Sequence, residues 1–199
     1  GQEEKRSESM KRLLADTNFY GLLAKDPKRI EVVGSIKTNK NLLIYGFRII
    51  RNELRDVPKK IKIEGKNLRI DLLSLYDEIT GEHIIEFTDI AVKRADDYYK
   101  AYREFGGSKS KNEIINDFIE NAYIFGNARK FSIFDIVIVA CASLKSFDII
   151  VSNDERSMLA ENAIRAYKLV NSVISKRTPR FISYEKFRMI LRGEPNEFF

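Results

Sequence analysis

Four acidic residues stand where a carboxylate has two possible uses. Asp16 closes the apolar run "LLA", and Asp154 closes "DIIVS" in the same way. Asp135 lies three residues after Ser132 at the head of "FSIFDIVIVACA", and Glu53 lies within "RIIRNELRDV". Asp16 and Asp154 have an ordinary structural reading as helix N-caps, a position that aspartate favours. The S-x-x-D spacing gives Asp135 a similar reading as part of a capping box. Glu53 is different, because Ile50, Glu53, Leu54 and Val57 fall on the i, i+3, i+4, i+7 positions of a buried helical stripe. Its neighbours three and four positions away are Ile49, Ile50, Asp56 and Val57, while Arg51 and Arg55 sit two away, on the other side of the helix. A buried carboxylate without a partner is costly. The sequence therefore calls for a partner from elsewhere, either a bound metal or a distant Lys or Arg.

Four carboxylates brought into one cleft would repel one another and raise their own pKa values unless cations neutralised them. The chain has one cysteine and one histidine, so a metal site in it is built from oxygen. Oxygen-only ligation suits a hard cation, Mg²⁺ or Mn²⁺. Such an ion binds phosphate oxygens and lowers the pKa of a water, which is the chemistry of phosphodiester hydrolysis and needs no histidine. His83, alone in "TGEHII", reads as a surface residue, and its solitude excludes paired-imidazole catalysis and His-clustered metal sites. Cys141, in "IVIVACA", reads as a small core residue.

The elements that would position these acids follow from periodicity. "RLLAD" (12–16) reads as a buried strand, followed by a helix from Asn18 with a break at "KDP" (25–27), and residues 30–37 are helical again. "NLLIYGF" (41–47) is a second strand, and 48–57 a helix stopped by Pro58. "KKIKIEGKNLRI" is a hairpin turning at Gly65 or a loop. "IDLLSLYDEI" and "AVKRADDYYKAYREF" are helical, the second ended by Gly106-Gly107, and a further helix fits 110–127. A helix from Ser132 to about Lys145 leads to the strand "FDIIVS" (147–152). Another helix runs from about Arg156 to Ser175, and "RFIS" and "YEKFRMILRG" close the chain as strand and helix. Strands alternating with helices predict an α/β fold, a three-layer sandwich with a central parallel sheet flanked by helices. Functional groups in such sheets gather beyond the carboxyl ends of the strands.

The chain has 199 residues, 44% hydrophobic and 32% charged, with net charge +6. This is the composition of a globular protein, and one domain accommodates the length. Residues 1–9 read as a polar tail or an expression remnant, and 10–199 as a single domain. No apolar run approaches the ~20 residues of a membrane span. The polar start lacks a signal-peptide core, and a single cysteine fits a reducing compartment, so a cytoplasmic location is expected. The basic balance favours an anionic partner such as nucleic acid. Tyr98, Tyr99 and Tyr102 read as core or interface packing rather than base stacking. "GGSKS" (106–110) has Ser108 where a phosphate-binding loop needs glycine.

The motifs in their order resemble those of the PIN-domain nucleases, a family that includes the VapC-type toxins of toxin–antitoxin pairs. The resemblance rests on "LLADTNFYGLL", "RNEL", "FSIFDIVIVACA" and "VSNDE", spans about Leu13 to Asp154, and continues in "RFISYEKF". It implies a metal-dependent endoribonuclease whose acidic site maps onto Asp16, Glu53, Asp135 and Asp154, with Mg²⁺ or Mn²⁺ as cofactor. Asn18 and Ser152 match polar positions that would orient a carboxylate or a water. Glu155 is either a fifth acid or a cap for the next helix. The implied reaction is in-line attack of water on phosphorus, which leaves a 5′-phosphate and needs no 2′-hydroxyl. The implied partners are RNA, an antitoxin or other protein inhibitor, and a second copy in a homodimer. The chain is longer than the usual toxins, and the excess lies in an extended insertion at about 59–110. There Lys59, Lys60, Lys62, Lys66 and Arg69 would track a phosphate backbone or form a solvated basic hairpin. Two other readings compete. One is a catalytically inactive RNA- or protein-binding module of the same fold. The other is a phosphatase resembling haloacid-dehalogenase-like enzymes, in which Asn18 stands where a second aspartate belongs.

Overall fold

The computed structural model describes residues 10–86, 88–105, 131–155 and 158–194, with side chains for all of these except Arg103 and residues 131–135. Five parallel strands form the central sheet: β1 (Lys11–Ala15), β2 (Leu42–Phe47), β5 (Ile84–Ile85), β6 (Ile149–Val151) and β7 (Arg180–Ile182), in the order β5-β2-β1-β6-β7. Eight described helices flank it: α1 (Thr17–Lys25), α2 (Arg29–Thr38), α3 (Arg48–Arg55), α4 (Leu68–Thr80), α5 (Asp89–Glu104), α6 (Phe131–Leu144), α7 (Glu161–Val173) and α8 (Tyr184–Leu191). This is the expected α/β sandwich around a parallel sheet, and it is consistent with a PIN-like fold.

The central strands are apolar throughout because both of their faces are covered. Leu13, Leu14 and Ala15 of β1 and Ile149, Ile150 and Val151 of β6 are all buried. Helices α1 to α4 pack against one another, and α5 packs against α6 and α7. One continuous apolar cluster takes in residues from every strand of the sheet that has a buried side chain.

Strand order fixes where a site belongs. From β1 the chain winds outward through β2 to β5, then returns to lay β6 against the opposite edge of β1 and continues outward to β7. The winding direction reverses between β1 and β6. In open parallel sheets, the crevice at such a reversal, beyond the carboxyl ends of the two strands, is where ligands bind.

Residues 59–105 supply β3 (Lys62–Ile63), β4 (Lys66–Asn67), α4, β5 and α5. The choice between hairpin and loop at 59–70 falls to the hairpin: β3 and β4 pair antiparallel, and the turn between them puts Glu64 at φ 51° and Gly65 at φ 78°. Consecutive left-handed residues are the signature of a two-residue hairpin turn. β5 is a strand the sequence does not announce.

The helix expected from Arg156 begins instead at Glu161. The backbone N–H of Leu159 bonds the carbonyl of Asp154 at 2.9 Å, and Met158 is fully buried, so Met158 and Leu159 are anchored ahead of the helix. Ser132 lies inside α6 rather than ahead of it. The glycine pair 106–107, the helix at 110–127 and "GGSKS" lie outside the described residues. Among the described residues no helix is long and apolar enough to cross a membrane.

Candidate functional site

Asp16 occupies the residue after β1, and its backbone N–H continues the sheet by bonding Val151 C=O of β6 at 2.9 Å. Its side chain caps α1, Oδ1 accepting from Thr17 N–H at 2.7 Å. The cap reading is therefore correct, and it uses only one of the two carboxylate oxygens. Oδ2 faces across the reversal point, where Ser152 Oγ–H donates to it at 2.9 Å and the Asn18 amide approaches at 3.3 Å. Asp16 is 3% exposed and Ser152 0%, so this is a buried, hydrogen-bonded carboxylate at the seam of the sheet.

The S-N-D segment after β6 is tied to the D-T-N segment after β1 by further bonds. Asn153 N–H donates to Asn18 Oδ1 at 3.2 Å, Asn18 Nδ2 reaches Ser152 Oγ at 3.4 Å, and Asp154 N–H reaches the same hydroxyl at 3.1 Å. Asn153 Oδ1 in turn accepts from Tyr184 N–H at 2.8 Å, which anchors the segment to the start of α8. Ser152 and Asn18 thus both contact the Asp16 carboxylate. Asp154 is half-buried, and no helix starts beside it. Its N-cap reading is overturned, and with it the cap reading of Glu155, whose side chain is exposed.

Glu53 comes in from the side. Ile50 and Leu54 of α3 are buried, and Glu53 shares their stripe. Arg51 points elsewhere, to a two-pronged pair with Asp77 at 3.0 Å. Among the described residues Glu53 has no cationic partner. Its Oε2 accepts a hydrogen bond from the Thr17 hydroxyl, and its Oε1 is buried with no hydrogen-bond partner.

The electrostatics agree with this placement. Burial pushes the Glu53 carboxyl up to about 7; the Thr17 hydroxyl opposes the shift, and the charges of Asp16, Asp56 and Asp154 add to it. Burial also raises Asp16, against the Thr17 amide and the Ser152 hydroxyl, and Asp154 again adds to the rise. Three of the four acids therefore lie within one another's field. The fourth, Asp135, is the fifth residue of α6. This helix turns directly into β6, Phe147 N–H bonding Ala142 C=O at 2.9 Å. The Asp135 side chain lies outside those described.

Among the described residues no three His, Cys, Asp or Glu side chains close into a group that holds a metal ion. Both oxygens of Asp16 accept hydrogen bonds from protein donors. The donor set nevertheless fits a hard cation. It is all oxygen, the carboxyls of Glu53 and Asp16 are raised first by burial and further by neighbouring acids, and among the described residues it includes one buried carboxylate oxygen left without a partner.

Lys59, Lys60, Lys62 and Lys66 are exposed on and beside the hairpin, and the half-buried Arg69 donates to Arg55 C=O at 3.3 Å. Tyr98 and Tyr99 are buried, with Tyr98 donating to Asn171 at 2.7 Å, so the core-packing reading holds for both. His83 is exposed. Cys141 is buried, and burial pushes its thiol up to about 12. Sequence reasoning passed over Thr17, which looks like any first residue of a helix; only the packing of α3 against α1 gives its hydroxyl a carboxylate. No protein-family model matches the chain, and no curated protein matches it.

Proposed function

We propose that this protein is a divalent-metal-dependent nuclease that hydrolyses phosphodiester bonds in RNA, with Asp16, Glu53, Asp135 and Asp154 as its acidic site. The observation that carries the reading is Glu53: a carboxylate on a core-facing stripe, among other acids, with one oxygen buried and unpartnered among the described residues. A structural glutamate would be expected to find a cation or donors for both oxygens.

In this reading Asp16, Glu53, Asp135 and Asp154 would hold Mg²⁺ or Mn²⁺. The ion, when bound, supplies Lewis acidity toward a phosphate oxygen and a more acidic water. The chain's own residues do the rest. Ser152 and Asn18 fix Asp16 from the β6 side and from the first turn of α1. Lys59, Lys60, Lys62 and Lys66 offer charges for a phosphate backbone on the hairpin that follows α3. The net charge of +6 suits a polyanionic substrate. A role as the toxin of a toxin–antitoxin pair, with a protein inhibitor and a homodimeric state, belongs to the same proposal, as does a cytoplasmic setting in which the buried Cys141 stays reduced.

The test is cleavage of end-labelled RNA with Mn²⁺ or Mg²⁺, with and without EDTA, by wild type and Asp16→Asn. Metal-dependent cleavage that leaves 5′-phosphates and falls by orders of magnitude in the variant is the expected result. Cleavage that survives EDTA or Asp16→Asn would overturn it. A second reading, a binding module without turnover, is favoured by the lack of a closed ligand group among the described residues. It predicts RNA or protein binding with no metal-dependent product.

A further inference from the structure

One residue touches both Asp16 and Glu53. Thr17 is the first residue of α1; its backbone N–H donates to Asp16 Oδ1 at 2.7 Å, and its side-chain hydroxyl donates to Glu53 Oε2. The two carboxylates come from different elements, the end of β1 and the middle of α3, and Thr17 fixes the position of one relative to the other. The hydroxyl also divides the work of the Glu53 carboxylate. Oε2 is engaged, while Oε1 is buried and has no partner among the described residues. A glutamate side chain has three rotatable bonds and two equivalent oxygens. Without an anchor, it would turn either oxygen, or both, toward a cation.

We infer that Thr17 is a positioning residue for metal binding: its hydroxyl holds Glu53 Oε2 so that Oε1 alone is presented to a divalent cation. The inference rests on the proposed metal site, and it adds a residue that the acidic motif does not contain. Donors that orient ligating carboxylates typically change metal affinity about 10- to 100-fold when removed. Thr17 does this through Glu53 and need not touch the metal.

The discriminating experiment is a Mn²⁺ titration followed by the electron paramagnetic resonance of the free ion, at pH 8, on wild type, Thr17→Val, Thr17→Ser and Glu53→Gln. Valine keeps the shape of the side chain and removes the donor; serine keeps the donor. The expected result is that Thr17→Val weakens Mn²⁺ by about 10-fold or more, and that Thr17→Ser restores binding to within a few-fold of wild type. A purely structural role for the side chain predicts the opposite order, because valine fills the space better than serine. Should Thr17→Val not fold, Thr17→Ala removes the hydroxyl without adding bulk and is read in the same way. Tight Mn²⁺ binding by wild type, lost in Glu53→Gln but unchanged in Thr17→Val, overturns the positioning role and leaves the metal site standing. Absence of Mn²⁺ binding in wild type overturns the metal site and the positioning role together.

Discussion

The Ser152 hydroxyl donates to Asp16 Oδ2 at 2.9 Å across the seam where the sheet reverses its winding, and it also accepts the Asp154 amide at 3.1 Å. One fully buried hydroxyl thus serves an acid from each half of the fold. Ser152→Ala leaves Asp16 buried with one donor fewer, which costs about 1–3 kcal/mol in stability. It also frees the loop that carries Asp154, so metal-dependent cleavage should fall about 10- to 100-fold. Urea denaturation and the RNA assay check the two effects. Ser152→Thr, which keeps the donor, should stay much closer to wild type in both.

Glu53 makes stability depend on pH in a direction opposite to that of a salt-bridged acid. Its carboxyl rises from 4.5 to about 7 on folding. Between those values the unfolded chain has released the proton and the folded chain still holds it. The unfolded state binds fewer protons there, so stability falls as pH rises through the window and levels off above it. The loss is on the order of 3 kcal/mol. Thermal melts from pH 4.5 to 8 should show this decline in wild type without divalent cation and a smaller one in Glu53→Gln, where the raised carboxyl of Asp16 remains. At pH 8, Mn²⁺ should raise the melting temperature of wild type and leave Glu53→Gln unmoved.

Much of this site was legible because its signals are local. "LLAD" and "DIIVS" announce buried strands that end in a polar residue, and the stripe through Ile50, Glu53 and Leu54 announces a carboxylate that faces the core. What was not legible is tertiary. β5 is two residues on the sheet edge, with Ile84 exposed, too short for any alternation to declare itself. What holds the chain ahead of Glu161 is also tertiary, because Met158 is buried and its carbonyl accepts the Tyr167 hydroxyl at 3.1 Å. Thr17 is a helix-opening threonine until α3 packs beside it.

Gly46 has a requirement that the sequence conceals. It pairs with Ile84 in β5, its N–H bonding His83 C=O at 2.7 Å, and a Cβ placed on it would lie 2.9 Å from Tyr76 Cζ with the tyrosine hydroxyl nearer still. Tyr76 is buried and donates to Phe47 C=O at 3.3 Å, so its ring is not free to withdraw. Gly46→Ala should therefore cost about 1–3 kcal/mol by overpacking. Pairing it with Tyr76→Phe, which deletes the nearest atom, should recover part of that loss. A double-mutant cycle in urea measures the coupling. Additive losses would show that the two positions do not collide.

Asp26 supplies the acid limb of the stability profile. It caps the end of α1 and is held by the start of α8: Tyr184 Oη–H donates to its Oδ2 at 2.7 Å, and Arg188 Nη1 lies 3.2 Å from the same oxygen. Burial works against its ionisation, but the Lys28 amide, the Tyr184 hydroxyl and the charge of Arg188 together hold the carboxyl below its ordinary 3.8. A carboxyl lowered on folding contributes stability that is present above the unfolded value and is lost as pH falls through the folded one. Asp26→Asn should be less stable than wild type at pH 7, and the gap should close on acidification below about pH 4. Tyr184→Phe, which keeps the ring against Phe19 and removes one charge-assisted bond, should cost about 1.5–3 kcal/mol at neutral pH. Urea midpoints at pH 7, 5 and 3 read both variants. A gap that widened toward pH 3 would mean that the Asp26 carboxylate is not what ties α8 to α1.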